Sequence, residues 1–208
     1  MKIYIIRHGE TAMNSQKIVQ GQTDEPLNEN GRKLAHLTGQ AMKGMHFDCC
    51  ISSRLSRASE TAEIVLKESG NDIPISFDDR ILEMNFGDME GVSISEIGDE
   101  GKLFYTNPLE FPGFPNGESI REVCARTQEF LKEIIAKDDD KTYLISTHGC
   151  AMRAMINFLF NDPTDFWHGR APFNCSFSIV EAKGGSARLT DVDKVFYDQS
   201  LAVDLFKI

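Results

Sequence analysis

Hydrophobic positions along the chain fall into two kinds of segment: short continuous apolar runs, and longer stretches in which apolar residues recur with helical spacing. Residues 2–6 and 142–146 are apolar runs, and residues 47–51 form a third candidate. Apolar runs without strict alternation are typical of strands that are buried on both faces of a parallel sheet. The pattern therefore predicts a central sheet built from strands that lie far apart in the sequence.

Helical spacing appears in the segments between and after these runs. The segments that show it are 28–45, 52–65, 119–136 and 150–160. We expect Asn28 and Ser119 to cap two of these helices, and either Ser52 or Ser53 to cap a third, because such side chains accept hydrogen bonds from the first free amides of a helix. The predicted order is strand, helix, strand, helix.

The last part of the chain predicts a closing pair of strands, at 176–181 and 187–192, around the turn Lys183-Gly184-Gly185. Together with the alternating order this predicts an α/β fold, specifically a three-layer α/β/α arrangement with a mainly parallel central sheet. The sequence shows no internal repeat and no linker long enough to separate two domains. We expect residues 1–208 to form a single domain.

Residues 84–118 differ from the rest of the chain. They contain nine glycines and prolines together with five aromatic residues, which combines turn-forming residues with large apolar anchors. Long irregular segments in compact domains are often functional. We expect this segment to be a lid or insertion over a site.

Charge and length narrow the possible partners. The chain has 208 residues, and 22 Lys and Arg against 32 Asp and Glu give a formal charge of −10. Because nucleic-acid binding requires dense positive charge, we expect no nucleic-acid partner. The N-terminal apolar run meets Arg7 and is too short for a signal peptide or a membrane span. We therefore expect a cytoplasmic protein with no membrane partner.

The cysteine and histidine patterns predict neither disulfides nor a metal site. The five cysteines are an odd number and include no Cys-x-x-Cys pair. The five histidines do not form the short pairs that are typical of zinc sites. We expect no metal and no cofactor.

Two predicted strands end in a histidine followed by a glycine, at Arg7-His8-Gly9 and at Thr147-His148-Gly149. The carboxyl ends of parallel strands face the ligand crevice, so the two imidazoles could meet at one ligand. A single histidine at a strand end is more often a hydrogen-bonded core residue. Two His-Gly pairs at equivalent places make the ligand interpretation much stronger.

Arginines near these strand ends could bind an anion. Arg7 precedes the first histidine, and Arg54 and Arg57 lie three residues apart at the start of a predicted helix. Guanidinium groups match phosphate oxygens, and helix N-termini favour negative charge. Pairing with Glu60 or Glu63 on the surface is the alternative, and it is more plausible for Arg54 than for Arg57. We expect Arg7 and Arg57 to hold an anion.

A carboxylic acid is the third kind of group expected at this site, after the histidines and the arginines. Glu83 directly follows a short apolar stretch that could fix its position. A carboxyl group beside apolar neighbours can keep a proton near neutral pH, which a general acid requires. Taken alone, Glu83 would more often be a surface or salt-bridged residue.

These motifs resemble the histidine phosphatase superfamily, also called phosphoglycerate mutase-like. The matching stretches occur in the family's order and are Arg7-His8-Gly9-Glu10-Thr11 with Asn14, then Ser53-x-Leu55-x-Arg57-Ala58-x-x-Thr61-Ala62, then Leu82-Glu83-x-x-Phe86-Gly87-x-x-Glu90-Gly91, then Gly117-Glu118-Ser119, and finally His148-Gly149. The resemblance implies a fold that covers nearly the whole chain.

The resemblance implies phosphoryl transfer through a covalent phosphohistidine. His8 would be the nucleophile, with its other ring nitrogen oriented by a backbone carbonyl. Arg7, Arg57 and His148 would hold the phosphoryl oxygens. Glu83 would protonate the leaving group and then activate water.

Several further residues could contact the substrate. Asn14 and the backbone amide of Gly149 are expected as additional hydrogen-bond donors. Weaker candidates at the rim are Glu10, Thr11, Gln20, Gln22 and Glu118.

The segment after Glu83 favours a phosphatase over a mutase. Mutases that resemble the glycolytic enzyme carry a Tyr-Gly pair and an insert with paired arginines, whereas this chain has Phe86-Gly87 and only one basic residue, Lys102, from 92 to 116. We expect hydrolysis of a small-molecule phosphomonoester, with a phosphoglycerate mutase as the alternative.

The aromatic residues of 84–118, with Trp167 and Phe173, either line a pocket for a bulky ester or pack the segment onto the domain.

Two rival classes are disfavoured. A thiolate phosphatase would need an arginine six residues after its cysteine, but Arg153 lies three after Cys150. A non-catalytic anion-binding or interaction module would be suggested by a missing catalytic residue, and none is missing. Oligomeric state is left open.

Overall fold

The computed structural model describes residues 1–202, apart from the side chain of Glu100. Residues 203–208, which the expected single domain includes, lie outside the described residues. The strands are β1 Lys2–Arg7, β2 Cys49–Ser52, β3 Ile75–Phe77, β4 Thr142–Thr147, β5 Phe177–Lys183 and β6 Ser186–Lys194. The helices are α1 Ala12–Ser15, α2 Glu29–Ala41, α3 Ser56–Ser69, α4 Lys102–Thr106, α5 Ile120–Ala136 and α6 Gly149–Ile156.

The six strands form one sheet in the order β3-β2-β4-β1-β5-β6. Strands β1 to β4 pair in parallel, and β5 runs antiparallel to β1. In the central pair, Arg7 lies opposite Thr147, so the residues that follow both strands emerge at the same edge. The predicted α/β fold with a mainly parallel sheet is confirmed, and its register brings the two His-Gly pairs together.

Helices cover both faces of the sheet. On one face, α5 and α6 pack over a cluster that includes Ile5 and Ile145. On the other, α2 and α3 pack over Ile6 and Leu144. Successive strand side chains point to opposite faces, so these apolar runs supply both layers of the core. The expected three layers are therefore present.

Asn28 and Ser119 cap their helices as expected, and Ser119 forms a capping box with Glu122. The cap of α3 is different: the helix begins at Ser56 after an extended Leu55 that has no side-chain cap. Asp24, from a distant loop, instead accepts hydrogen bonds from the Ser56 amide at 2.7 Å and its hydroxyl at 2.8 Å. The prediction of a cap at Ser52 or Ser53 was wrong because the chain stays extended for longer.

Two further boundaries differ from expectation. Strand β3, at the sheet edge, was not predicted, because its three residues are half-buried or exposed and carry no strong apolar pattern. The helix expected at 150–160 ends as α-helix at Ile156 and continues as a 3₁₀ turn at Asn157–Leu159. No helix in residues 1–202 is long and apolar enough to cross a bilayer.

Residues 84–118 form a series of 3₁₀ turns around the short helix α4. Their apolar side chains build a third cluster with residues of α5, α6 and Trp167. The Trp167 indole Nε1 donates a hydrogen bond to the Phe104 carbonyl at 2.8 Å. Aromatic packing therefore fixes this segment against the rest of the chain.

Candidate active site

The two strand-end histidines lie side by side. His8 follows β1 and His148 follows β4, and their ring centroids are 5.2 Å apart. Both side chains are buried. The central parallel pair of the sheet therefore brings together the residues that the His-Gly pattern predicted.

His8 is held in one orientation. Its Nδ1 donates to the Gly9 carbonyl at 2.6 Å, which leaves the lone pair on Nε2. Burial lowers the pKa of His8 well below its usual value, and the positive charges of Arg57 and Arg7 lower it further. His8 is therefore a neutral imidazole at physiological pH, the form that can act as a nucleophile.

His148 is held by Ser53, one of the two residues that were expected as a helix cap. The His148 Nε2 and the Ser53 Oγ are 2.8 Å apart. Its Nδ1 is buried and finds no hydrogen-bond partner in the described part of the chain. Burial, with Arg57 and His8 nearby, lowers the pKa of His148 well below its usual value. His148 therefore offers an unpaired polar atom beside His8.

Arg57 lies inside the site and Arg54 lies outside it. Arg57 is fully buried and donates to the carbonyls of Thr23 at 2.8 Å and Gly21 at 2.7 Å. Burial lowers its pKa to about 10, so the side chain remains a cation at neutral pH. Arg54 is 62% exposed and pairs with Asp79 at 2.6 Å.

Arg7 is the second buried cation. Its side chain is 4% exposed and donates to the Pro172 carbonyl. A Cβ at Gly149 would lie 3.3 Å from the Arg7 Nε, so glycine leaves room for this guanidinium. The glycine after His8 has another use: a Cβ at Gly9 would lie 2.6 Å from the Gly31 carbonyl oxygen, so the loop can pack closely against α2.

Glu83 lines the same cavity as the two buried arginines and contacts the start of α6. Its Oε1 accepts from the amides of Met84 and Ala151, both at 2.9 Å, and its Oε2 from the Cys150 amide at 3.2 Å. Three backbone amides therefore contact the carboxylate. Such donors fix a carboxylate and stabilise its negative charge.

Asn14, Gln20 and Gly149 line the cavity described below, as expected of groups that contact a ligand. Thr11 and Gln22 do not line it. The Thr11 hydroxyl accepts from the Asn14 amide at 3.1 Å and donates to Gln20 at 2.8 Å, and the Gln22 side-chain amide donates to the Glu83 carbonyl at 3.0 Å. Thr11 and Gln22 therefore support residues that do face the cavity.

The other two rim candidates, Glu10 and Glu118, also lie away from the cavity. Glu10 accepts from the side chains of Asn28 at 2.7 Å and Asn30 at 3.1 Å. Glu118 pairs with Arg126 at 2.8 Å. Both glutamates are occupied in structural contacts.

Arg126 was not predicted, yet it holds the segment that carries Glu83. Its guanidinium donates to the carbonyls of Leu82 at 2.7 Å and Glu83 at 3.0 Å, while Glu118 neutralises its charge. The glutamate lies before α5 and the arginine within it, so only their spacing of eight residues could have hinted at a pair. These hydrogen bonds fix the backbone at Leu82 and at Glu83 itself.

Asn174 was also missed. It is fully buried, and its Nδ2 donates to the His8 carbonyl at 3.0 Å and to the Asn14 Oδ1 at 3.1 Å. The Tyr197 hydroxyl in turn donates to the Asn174 carbonyl. No local pattern in the sequence marks Asn174, because each of these contacts joins distant parts of the chain.

A cavity of about 750 Å³, counted out to its open mouth, is lined by His8, Glu83 and the two buried arginines. Five aromatic side chains form part of its wall, namely Phe86, Phe104, Tyr105, Phe114 and Trp167. Phe173 is buried elsewhere and stacks with Arg170. The aromatic residues therefore serve both expected purposes, because they pack the 84–118 segment and line the cavity.

Cys150 also lines the cavity but is not a thiolate. Burial raises its pKa well above the usual value, with Glu83 adding to the effect. Arg153 does not face it, since its guanidinium pairs with Asp193 at 2.5 Å. The geometry disfavours a cysteine nucleophile. Among the described residues, no three His, Cys, Asp or Glu side chains are grouped so that they could hold a metal ion.

Comparisons with known proteins found relatives that cover most of the chain. A curated relative, the probable phosphoglycerate mutase GpmB of Salmonella arizonae, is 29% identical over 184 residues, which cover 87% of this chain and 85% of the relative. The solved structure of Bacillus stearothermophilus YhfR is 31% identical with a TM-score of 0.86, covering 93% of this chain and 97% of that one. A mycobacterial glucosyl-3-phosphoglycerate phosphatase is 26% identical with a TM-score of 0.80, covering 92% and 97%.

The family model of the histidine phosphatase superfamily (branch 1) matches residues 3–194. That range includes both strand-end histidines, both buried arginines and the glutamate above. Because the match spans nearly the whole chain, the chain belongs to the histidine phosphatase superfamily.

Proposed function

We propose that the protein hydrolyses a small phosphomonoester through a phosphohistidine intermediate on His8, without a metal. The observation that carries the proposal is the neutral His8 imidazole, oriented through Nδ1 at 2.6 Å from the Gly9 carbonyl and placed beside two buried arginines. A neutral imidazole attacks phosphorus without prior deprotonation, and the two cations balance the charge of a phosphate dianion. No added cation is needed for that balance.

In the first step, the Nε2 of His8 forms a bond to phosphorus as the bond from phosphorus to the ester oxygen breaks. Arg7, Arg57 and the unpaired Nδ1 of His148 hold the phosphoryl oxygens. Glu83 gives its proton to the departing alcohol.

In the second step, water attacks the phosphohistidine. Glu83, now a carboxylate, takes a proton from the water while the P–N bond breaks. Inorganic phosphate forms and His8 returns to its neutral state. The amides of Cys150 and Ala151 keep the carboxylate in the same place for both steps.

We also propose that the chain is one domain and that residues 84–118 are its lid. Glu90 ties this segment to the loop that Arg57 holds, since it accepts from the amides of Gln22 at 2.8 Å and Thr23 at 2.9 Å. The same segment supplies aromatic side chains to the cavity wall. Such a segment would limit the access of water to the reaction centre.

A phosphoglycerate mutase is the second candidate, because a curated relative at 29% identity is named a probable phosphoglycerate mutase. A mutase must hold a second anionic group of its substrate. Arg7 and Arg57 are the only Lys or Arg side chains among the residues that line the cavity, and both face the phosphoryl position. The lack of a further cation there favours the hydrolase.

The proposal is tested by following phosphate release from p-nitrophenyl phosphate with a chelator present. We expect one phosphate per nitrophenol and an unchanged rate on chelation. Interconversion of 2- and 3-phosphoglycerate without phosphate release would favour the mutase. Phosphate binding without turnover of any ester would favour a non-catalytic module.

The role of Glu83 predicts a dependence on the leaving group. In Glu83→Gln the side chain keeps its shape but cannot deliver a proton. An alkyl phosphate, whose alkoxide needs that proton, should lose about 100-fold more in kcat/KM than p-nitrophenyl phosphate, which leaves well unaided. Equal losses for both esters, with chemistry rate-limiting, would show that Glu83 is structural.

A further inference from the structure

The charged residues that line the cavity all belong to the reaction centre. They are Arg7, Arg57 and Glu83, beside the neutral His8. Each is already engaged with the phosphoryl group or the proton in the proposed mechanism. Among the residues that line the cavity, no charged side chain remains for the rest of the substrate.

The aromatic part of the cavity wall is continuous. Its centre is Phe104, whose ring centroid lies 5.4 Å from that of Phe86, 5.1 Å from that of Tyr105 and 5.2 Å from that of Trp167. The indole Nε1 of Trp167 is bound to the Phe104 carbonyl. The indole donor is therefore engaged within the protein.

Four aliphatic side chains also line the cavity. Ile18 and Val19 come from the loop after α1, and Ile94 and Ile97 come from the 84–118 segment. Ile97 is buried at 8% exposure, and Ile94 is half-buried. The aromatic and aliphatic side chains therefore offer dispersion contacts to a ligand that also reaches the phosphate-binding groups of the same cavity.

We propose that the preferred substrates are phosphomonoesters of uncharged alcohols that carry an aromatic or similarly large apolar group. This inference rests on the proposed hydrolase function and assigns its substrate class. An apolar group gains free energy by leaving water for this wall. A carboxylate at the same place would lose its hydration without finding a cation, which is costly in an apolar environment.

Two alkyl esters of matched reactivity test the preference. In 3-phenylpropyl phosphate and 4-(phosphonooxy)butanoate both leaving groups are primary alkoxides, so the esters differ mainly in a phenyl ring or a carboxylate at the far end. We expect kcat/KM to be about 100-fold higher for the phenyl ester, because a site rejects strongly a substrate whose polar group it leaves unpaired.

A charge-changing variant tests whether the apolar wall causes the preference for the phenyl ester. In Ile94→Arg a cation enters the apolar wall and can pair with the carboxylate of the substrate. The ratio of kcat/KM for the phenyl ester to that for the carboxylate ester should therefore fall by about 10-fold. Leu103→Arg adds the same charge on an exposed side chain, 43% exposed, that does not line the cavity, and should leave the preference unchanged.

The possible outcomes distinguish failure of the substrate-class inference from failure of the hydrolase proposal. Equal turnover of both esters, or preference for the carboxylate, would overturn the apolar substrate class while leaving the hydrolase intact. A preference that narrows as much in Leu103→Arg as in Ile94→Arg would show that the wall is not its cause, and would also overturn the inference. Failure to hydrolyse any ester, p-nitrophenyl phosphate included, would overturn the hydrolase proposal and this inference with it.

Discussion

Replacement of His8 by alanine should lower kcat/KM for p-nitrophenyl phosphate by at least about 10⁴-fold, because the variant loses the atom that forms the covalent intermediate. The remaining arginines can still bind phosphate, so the affinity for inorganic phosphate should fall much less. Steady-state kinetics and phosphate titration measure the two effects separately.

The control is His46→Ala. His46 lies on the surface with its side chain 76% exposed, paired with Asp48 at 3.2 Å. The His46→Ala variant should retain the activity of the unmodified protein. Near-normal activity in His8→Ala would mean that another group attacks phosphorus.

The second large effect is expected at Arg57. Arg57→Ala should reduce transition-state stabilisation by roughly 3 to 5 kcal/mol, because it removes a buried cation from the developing charge. Part of the loss would come from the loop at residues 21–23, whose carbonyls Arg57 holds. Arg57→Lys keeps the positive charge but lacks the planar guanidinium group. Its kcat/KM should therefore lie between those of the unmodified protein and Arg57→Ala.

Arg54→Ala provides a matched control three residues earlier on the chain. It removes the same charge from an exposed side chain whose partner is Asp79 at 2.6 Å, and should change kcat/KM little. Thermal unfolding of each variant separates lost catalysis from lost stability. If Arg54→Ala proved the damaging change and Arg57→Ala the neutral one, the assignment of the phosphate-binding arginine would be wrong.

The sequence predicted those parts of the site that follow from strand ends. Parallel strands end at one edge of a sheet, so the two His-Gly pairs implied that His8 and His148 meet, and the register of β1 and β4 brings them together. Arg57 was preferable to Arg54 only through its place in the motif. Their opposite burial follows from where α3 begins: Arg57 lies within the helix and is buried, whereas Arg54 lies in the bend before Ser56 and is exposed.

The supporting residues could not be predicted in the same way. Asn174 and Arg126 act through contacts with residues 166 and 43 positions away along the chain. Such contacts depend on how distant elements pack, and neither residue type marks them locally. The caps show the same limit: Asn28 acts on its own helix, whereas α3 takes its cap from Asp24, 32 residues earlier.

The surroundings of Glu83 show a third limit. The apolar stretch before it predicted a fixed position, and the side chain is buried at 9% exposure. The hydrogen bonds that fix it come mostly from the first amides of α6, which begins 66 residues later at Gly149. A local pattern cannot reveal backbone donors from a helix elsewhere in the fold.

The central claim is covalent catalysis at His8, and trapping of the phosphorylated protein tests it most directly. The protein is mixed with ³²P-labelled substrate, denatured within the turnover time and digested, and the labelled peptide is identified by mass spectrometry. We predict one phosphoryl group on His8 that is labile in acid and stable in alkali, as a phosphoramidate is. Label that survives acid, label on any residue other than His8, or turnover with no label at all would contradict the account.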